Sequence, residues 1–201
     1  MTNIKICGLN RLADIEMVNK LLPEYVGFVF AKSRRQVDAV TAQTLKNRLD
    51  PTIVAVGVFV EAAIDDIVKL VETHVIDMVQ LHGDEDERYI SQLRQKVSVP
   101  IIKAVAVTGR DDVHKAGQLA VDYLLFDGQQ AGSGQTFDWQ YLSEVKTPYF
   151  LAGGLCEANV AQALLKQPFA VDVSSGVETK GVKDEAKIRT FIERIRKQKE
   201  C

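Results

Sequence analysis

Short apolar runs rich in β-branched and aromatic residues alternate with longer segments of helical period along the whole chain. The runs predict strands at 3–7, 25–30, 53–60, 77–82, 100–107, 122–127, 148–153 and 169–175, each followed by a segment that predicts a helix. After the third run, Ile64, Ile67, Val68 and Val71 recur at spacings of three and four, while Asp65, Asp66, Lys69 and Glu72 take the opposite face. Such a helix lays an apolar stripe on a sheet. The last helix repeats the arrangement with Ile188, Phe191, Ile192 and Ile195, and its basic RIRKQK face, which has no interleaved aromatics, reads as a solvated surface.

Strand followed by helix, repeated, requires right-handed crossovers and a parallel sheet that is either covered on both faces or closed on itself. A doubly wound sheet would usually carry a GxGxxG or GxxxxGK[ST] turn after its first strand, and neither occurs. Eight units of roughly 25 residues instead predict an α/β chain folded as a single (βα)8 barrel over residues 1–201.

Composition narrows the partners. With 25 Lys plus Arg against 27 Asp plus Glu, the formal charge of -2 offers no broad field for nucleic acid or an anionic membrane, so any anion must be held locally. No apolar run approaches the ~18 residues that cross a bilayer. The opening MTNIKICG lacks the features of a secretion signal, so a cytoplasmic protein is expected, as monomer or homodimer. Cys7, Cys156 and Cys201 form no CxxC or CxxH pair, which points to reduced thiols rather than a disulfide framework or a metal site.

In a closed parallel barrel the functional face lies at the carboxyl ends of the strands. Those ends read Cys7-Gly8, the loop Lys32 to Arg35, Gln80 and His82, Asp127, Gly153-Gly154, and Ser174-Ser175-Gly176. Alternation places Lys5 with Cys7 on the inner face of the first strand, and it groups Tyr123, Leu125 and Asp127, Gln80 and His82, and Asp172 and Ser174. Lys5 and Asp172, on neighbouring strands, are expected to form a buried ion pair that belongs to the architecture.

The glycine-bearing turns after strands seven and eight would offer backbone N–H groups and a helix N-terminus to a phosphate. The long loop QQAGSGQTFDW after strand six, with Gly132, Ser133 and Gly134, would fold over a ligand. The Lys32-Ser33-Arg34-Arg35 loop, on the rim most of a barrel diameter from that phosphate, would clamp a second anion, an arginine forking a carboxylate. Cys7 and Asp127 would face each other across the mouth, one taking a proton and one giving it, since a thiol beside a cation is partly ionised near neutrality and a partly buried carboxyl group stays partly protonated. That pair suits proton movement within a sugar phosphate. A metal-dependent epimerase would need more ligands than His74, His82 and His114 supply. A phosphosugar-barrel synthase would need Lys and Glu at strand ends as acid and base, for which Lys103 is the only strand-borne candidate. A non-catalytic phosphate-binding barrel is the alternative outside enzymology.

Seven strings, in order, resemble the phosphoribosylanthranilate isomerase family of tryptophan biosynthesis: KICG at 5–8, VGFVF at 26–30 with KSRR at 32–35, VGVFV at 56–60, VQLHG at 79–83, GSGQTFDW at 132–139, GGL at 153–155 and FAVDVSSGVE at 169–178. The resemblance implies a (βα)8 isomerase without cofactor or metal, acting on a phosphoribosyl substrate by an Amadori rearrangement. It implies Cys7 as general base, Asp127 as general acid, Arg35 as the grip on the anthranilate carboxylate, and Gly153, Gly154, Ser174, Ser175 and Gly176 as the phosphate cradle. Cys156 stands where the family more often has Asn.

Overall fold

A computed structural model describes residues 2–128 and 137–197. Eight parallel strands, β1 (Asn3–Cys7), β2 (Tyr25–Val29), β3 (Val54–Phe59), β4 (Met78–Leu81), β5 (Ile101–Ala106), β6 (Tyr123–Asp127), β7 (Tyr149–Leu151) and β8 (Ala170–Val173), close into a barrel in sequence order. Lys5 stands level with Asp172 where β1 meets β8. Around the barrel run α1 (Leu12–Leu21), α2 (Ala39–Lys46), α3 (Ile64–Glu72), α4 (Glu87–Arg94), α5 (Arg110–Ala116), α6 (Val160–Leu164) and α7 (Glu185–Lys197). Among the described residues no helix is long and apolar enough to cross a membrane.

All eight strands coincide with expected runs: β1 matches its run, and the other seven are shorter by one to three residues, divided between the two ends. The trimmed residues still contact the neighbouring strand: the Phe30 and His82 amides donate to the Val58 and Phe59 carbonyls of β3, at 2.9 and 2.7 Å. Phe30, for instance, stacks flat on Phe59 with ring centroids 5.0 Å apart. The helix expected after β6 is a 3-10 segment, Trp139–Glu144. Asp138 caps it by accepting from the Gln140 amide at 2.9 Å, and Pro148 follows too soon for a long helix to develop. In α3 the buried residues are Ile67 and Leu70, with Ile64, Val68 and Val71 half-buried, so the stripe is centred one position away from the expected one. In α7 the expected Ile188, Phe191, Ile192 and Ile195 are all buried. A short hairpin absent from the sequence reading, β9 (Glu178–Thr179) against β10 (Val182–Lys183), follows β8.

Strand alternation sorts side chains into two cores. Ile4, Ile6, Val26, Phe28, Leu124 and Phe126 point outward to the helices. Val56, Met78, Ile102, Leu125, Phe150 and Ala170 fill the barrel, and Tyr25, Tyr123 and Phe169 pack against them. The aromatic members interlock edge to face, Tyr25 and Phe150 at 5.5 Å between centroids and Tyr123 and Phe150 at 5.7 Å. This plug occupies one end of the barrel, so polar inward positions collect at the other: Lys5, Gln80, Asp127 and Asp172 are all buried.

Candidate active site

The end of β1 is fixed on both sides. The amides of Gly8 and Leu9 both donate to the Gly27 carbonyl, at 2.8 and 3.1 Å, and the Ser174 hydroxyl donates to the Cys7 carbonyl at 3.0 Å. Gly8 takes a left-handed φ of 83°, which turns the chain out of the strand. Cys7 therefore projects inward at a fixed height, and β2 makes room for it: a Cβ on Gly27 would come within 2.6 Å of the thiol sulfur. The glycine in the second strand is needed for the cysteine in the first.

Cys7, Arg35, Gln80, His82, Asp127, Gly153, Gly154, Asp172, Ser174, Ser175 and Gly176 line one cavity of about 310 Å³. The sequence reading thus gathered residues from strands and loops spread over the chain into one place. Gly132, Ser133 and Gly134 of the expected lid, and Cys201, lie outside the described residues. Cys156 is half-buried and outside the cavity lining, its amide donating to Asn159 Oδ1 at 2.9 Å. Among the described residues no group of three His, Cys, Asp or Glu side chains is placed to hold a metal.

Burial dominates the titration of both Asp127 and Cys7. It pushes Asp127 up to about 6, reinforced by Asp172 and opposed by the Gly128 amide, which donates to Asp127 Oδ1 at 2.8 Å, and by Lys5. A carboxyl group in that range is partly protonated near neutrality, as expected from the sequence. Cys7 departs from expectation. Lys5 and Lys183 do favour the thiolate, but burial outweighs them and the thiol is pushed above its ordinary value. A cation nearby was legible; the cost of removing the sulfur from water was not.

His82 reaches toward the acid, with Nε2 3.7 Å from Asp127 Oδ2, and its Nδ1 lies 2.8 Å from the Gln80 amide nitrogen. Burial, with the charge of Lys5, pushes the imidazole below its ordinary value and keeps it neutral at pH 7. With Nδ1 accepting from Gln80, the ring proton sits on Nε2 and faces Asp127.

Lys5 and Asp172 form the expected buried pair, Nζ to Oδ2 at 3.0 Å. Lys103 forms another, unexpected one with Glu85 at 2.9 Å. Glu85 also accepts from the amides of Glu61 at 2.9 Å and Gly83 at 3.0 Å, so this pair ties the loops after β3 and β4 to strand β5.

The rim corrects one expectation. A Cβ on Gly8 would meet both Arg35 Cδ, at 2.3 Å, and Ser174 Oγ, at 3.3 Å. Arg35 thus begins beside the β8 loop, not most of a barrel diameter away, because β2, β1 and β8 are consecutive staves. Its guanidinium is already engaged: Nε lies 2.7 Å from Glu178 Oε1 and one terminal nitrogen 3.0 Å from Oε2. Arg34 at 2.7 Å and Lys183 at 2.8 Å share the same carboxylate. Burial works against charge on Glu178, yet Arg35 and Lys183 hold it below its ordinary value. The sequence reading gave Glu178 and Lys183 no role; only the hairpin β9–β10, two residues per strand, brings them under Arg35.

Gly153 and Gly154 take left-handed φ angles of 84° and 65°. Among the described residues their N–H groups donate to no protein acceptor. Gly176 presses so closely on the neighbouring loop that a Cβ would lie 1.9 Å from the Leu155 carbonyl oxygen. The two turns form one surface because one of them lacks a side chain there, and its free amides suit an anion.

Fold and cavity together define a class: a barrel enzyme whose chemistry is proton transfer on an anionic small molecule. The comparisons narrow it. The family model for N-(5'-phosphoribosyl)anthranilate (PRA) isomerase matches residues 4–194. An N-(5'-phosphoribosyl)anthranilate isomerase of Endomicrobium trichonymphae is 48% identical over 201 residues, covering 98% of this chain and 99% of its own. The crystal structure of phosphoribosyl anthranilate isomerase from Thermus thermophilus superposes with a TM-score of 0.90 at 30% identity, covering 98% of this chain and all of the other. A further structure of such an isomerase, in complex with reduced 1-(o-carboxyphenylamino)-1-deoxyribulose 5-phosphate, superposes with a TM-score of 0.84 at 32% identity, over 98% of this chain and 100% of that one. The chain belongs to the N-(5'-phosphoribosyl)anthranilate isomerase family.

Proposed function

We propose that the chain converts N-(5'-phosphoribosyl)anthranilate to 1-(2-carboxyphenylamino)-1-deoxyribulose 5-phosphate, the Amadori step of tryptophan biosynthesis, with Asp127 as acid and Cys7 as base. The observation that carries this reading is a single cavity in which a carboxyl group raised to about 6 and an inward thiol project from separate strands. Asp127 protonates the furanose ring oxygen; the C1–O bond breaks toward that oxygen while the anthranilate nitrogen lone pair forms the C1=N iminium. The Cys7 thiolate then takes the C2 proton, the C–H electron pair becomes C1=C2, and the iminium π electrons return to nitrogen. The enolamine gains a proton at C1 and loses one from the C2 hydroxyl to reach the ketone. Each transfer by a placed side chain contributes about 10²–10⁴ in rate.

The free amides of Gly153 and Gly154, with Ser174, Ser175 and Gly176, hold the phosphate in this reading, and Arg35 holds the anthranilate carboxylate. Glu178 occupies the Nε side of the Arg35 fork, leaving the remaining terminal nitrogen for the ligand and fixing its direction. Replacing Arg35 by methionine leaves Glu178 still paired with Arg34 and Lys183, so no buried charge is orphaned. Loss of one charged hydrogen bond to substrate should lower kcat/KM about 10–100-fold, mainly through KM. An unchanged KM in steady-state assays would remove Arg35 from the binding machinery.

The active form pairs a protonated Asp127, titrating at about 6, with a Cys7 thiolate that titrates above its ordinary value. Between the two titrations each unit of pH gains thiolate and loses protonated acid in equal proportion, so kcat/KM is flat; below about 6 the acid is saturated and the rate falls tenfold per unit. Loss of the anthranilate fluorescence, followed from pH 5 to 8, checks this. A rate that climbs tenfold per unit through pH 6–8 would mean that Asp127 is not the acid.

A further inference from the structure

The ends of the ligand leave one freedom unfixed. With the phosphate and the anthranilate carboxylate both held, the carbon skeleton can still turn about its long axis, and that rotation decides whether the hydrogen or the hydroxyl of C2 faces Cys7. Something in the cavity must choose. Three buried side-chain N or O atoms lack a hydrogen-bond partner among the described residues, and two of them, Asp172 Oδ1 and Gln80 Oε1, belong to residues lining this cavity. Asp172 is 9% exposed and Gln80 1%. Leaving such acceptors unpaired is costly unless a ligand supplies donors. The phosphate and carboxylate ends offer only acceptors when ionised, which leaves the sugar hydroxyls and the single N–H of the anthranilate nitrogen as donors.

Between the two acceptors, Asp172 is the one beside the base. β8 is adjacent to β1, Asp172 stands level with Lys5, and Lys5 shares the inner face of β1 with Cys7. Lys5 takes Oδ2 at 3.0 Å and fixes the carboxylate, leaving Oδ1 buried without a partner on a residue that lines the cavity. We propose that Asp172 Oδ1 accepts a hydrogen bond from the C2 hydroxyl of the ring-opened substrate and so turns the C2 hydrogen toward Cys7. Asp172 is then a substrate-positioning and specificity residue, and the Lys5–Asp172 pair serves the site as well as the barrel. The inference rests on Cys7 acting at C2.

Binding separates it from the reading beneath it. Reduced 1-(o-carboxyphenylamino)-1-deoxyribulose 5-phosphate carries a hydroxyl on C2, and its 2-deoxy counterpart lacks only that group. The parent protein is expected to bind the hydroxylated compound about 10–100-fold more tightly, the ratio that one hydrogen bond to a charged group supplies. The double variant Lys5→Met with Asp172→Leu replaces the buried ion pair by apolar side chains, an exchange that buried pairs often tolerate. It should prefer the hydroxylated compound by less than about 3-fold and bind the 2-deoxy compound about as the parent does. Asp172→Asn, the smaller change, should cut the preference at least about fivefold, and it decides the matter if the double variant does not fold. A parent with no preference overturns the proposal, as does either variant that keeps the parental ratio, or loss of the ratio in Gln80→Met alone. A parent that binds neither compound would strike at the isomerase reading instead.

Discussion

Cys7→Ser is expected to lower kcat by about 10³-fold or more while leaving the affinity for the reduced product analogue within about threefold of the parent. The exchange replaces sulfur by a smaller oxygen, so the crowding against Gly27, where a Cβ would already sit 2.6 Å from the thiol, is relieved rather than worsened. The fixed backbone at Cys7 and Gly8 does not involve the side chain. What changes is basicity at reach: a serine hydroxyl in the same buried position is not ionised at any working pH, and Lys5 and Lys183 cannot make it so. Isothermal titration with the analogue, set beside steady-state rates, separates lost chemistry from lost binding. Near-parental turnover would mean that another group removes the C2 proton.

Asp127→Asn should lower kcat about 10²–10⁴-fold and, unlike the cysteine variant, should stabilise the protein at neutral pH. Burial raises the Asp127 carboxyl to about 6, above its value in the unfolded chain, so the folded state binds the proton more tightly. Its contribution to stability is present below pH ~4 and is lost as pH rises through about 6. At pH 7–8 the parent therefore holds a buried carboxylate at a cost of on the order of 2 kcal/mol, which the neutral amide avoids. Thermal unfolding should show the variant melting roughly 5 °C higher at pH 7.5 and without that advantage at pH 4. A variant less stable at pH 7.5 would mean that the carboxylate is well solvated or well paired, and the argument for its raised titration would fail.

Much of this site was legible because strand alternation is strict. Once the eight runs are read as staves, the inward positions follow by counting, and Cys7, Gln80, Asp127 and Asp172 fall into one basin without knowledge of any contact. The Lys5–Asp172 pair was legible for the same reason, since closure makes the first and last strands neighbours. What escaped were features that depend on short irregular segments. Glu178 and Lys183 reach Arg35 through a hairpin too brief to show a period-2 pattern. Glu85, which accepts from Lys103 and two loop amides, sits in a loop where no period applies. The nearness of Arg35 to the β8 loop is not legible because a loop's place on the rim does not show that the arginine stem crosses directly over Gly8. The direction of the Cys7 shift is not legible because sequence shows neighbouring charges more readily than the depth of burial.

The central claim is that this cavity isomerises N-(5'-phosphoribosyl)anthranilate with its own thiol and carboxyl group. Its most direct measurement is the fluorescence of that substrate at pH 7.5 in the presence of purified protein and a metal chelator. The expected result is a loss of signal whose rate is proportional to protein concentration and which Cys7→Ser and Asp127→Asn each slow at least about 10²-fold. A signal that persists at protein concentrations equal to the substrate, or that decays only when metal is restored, would contradict it.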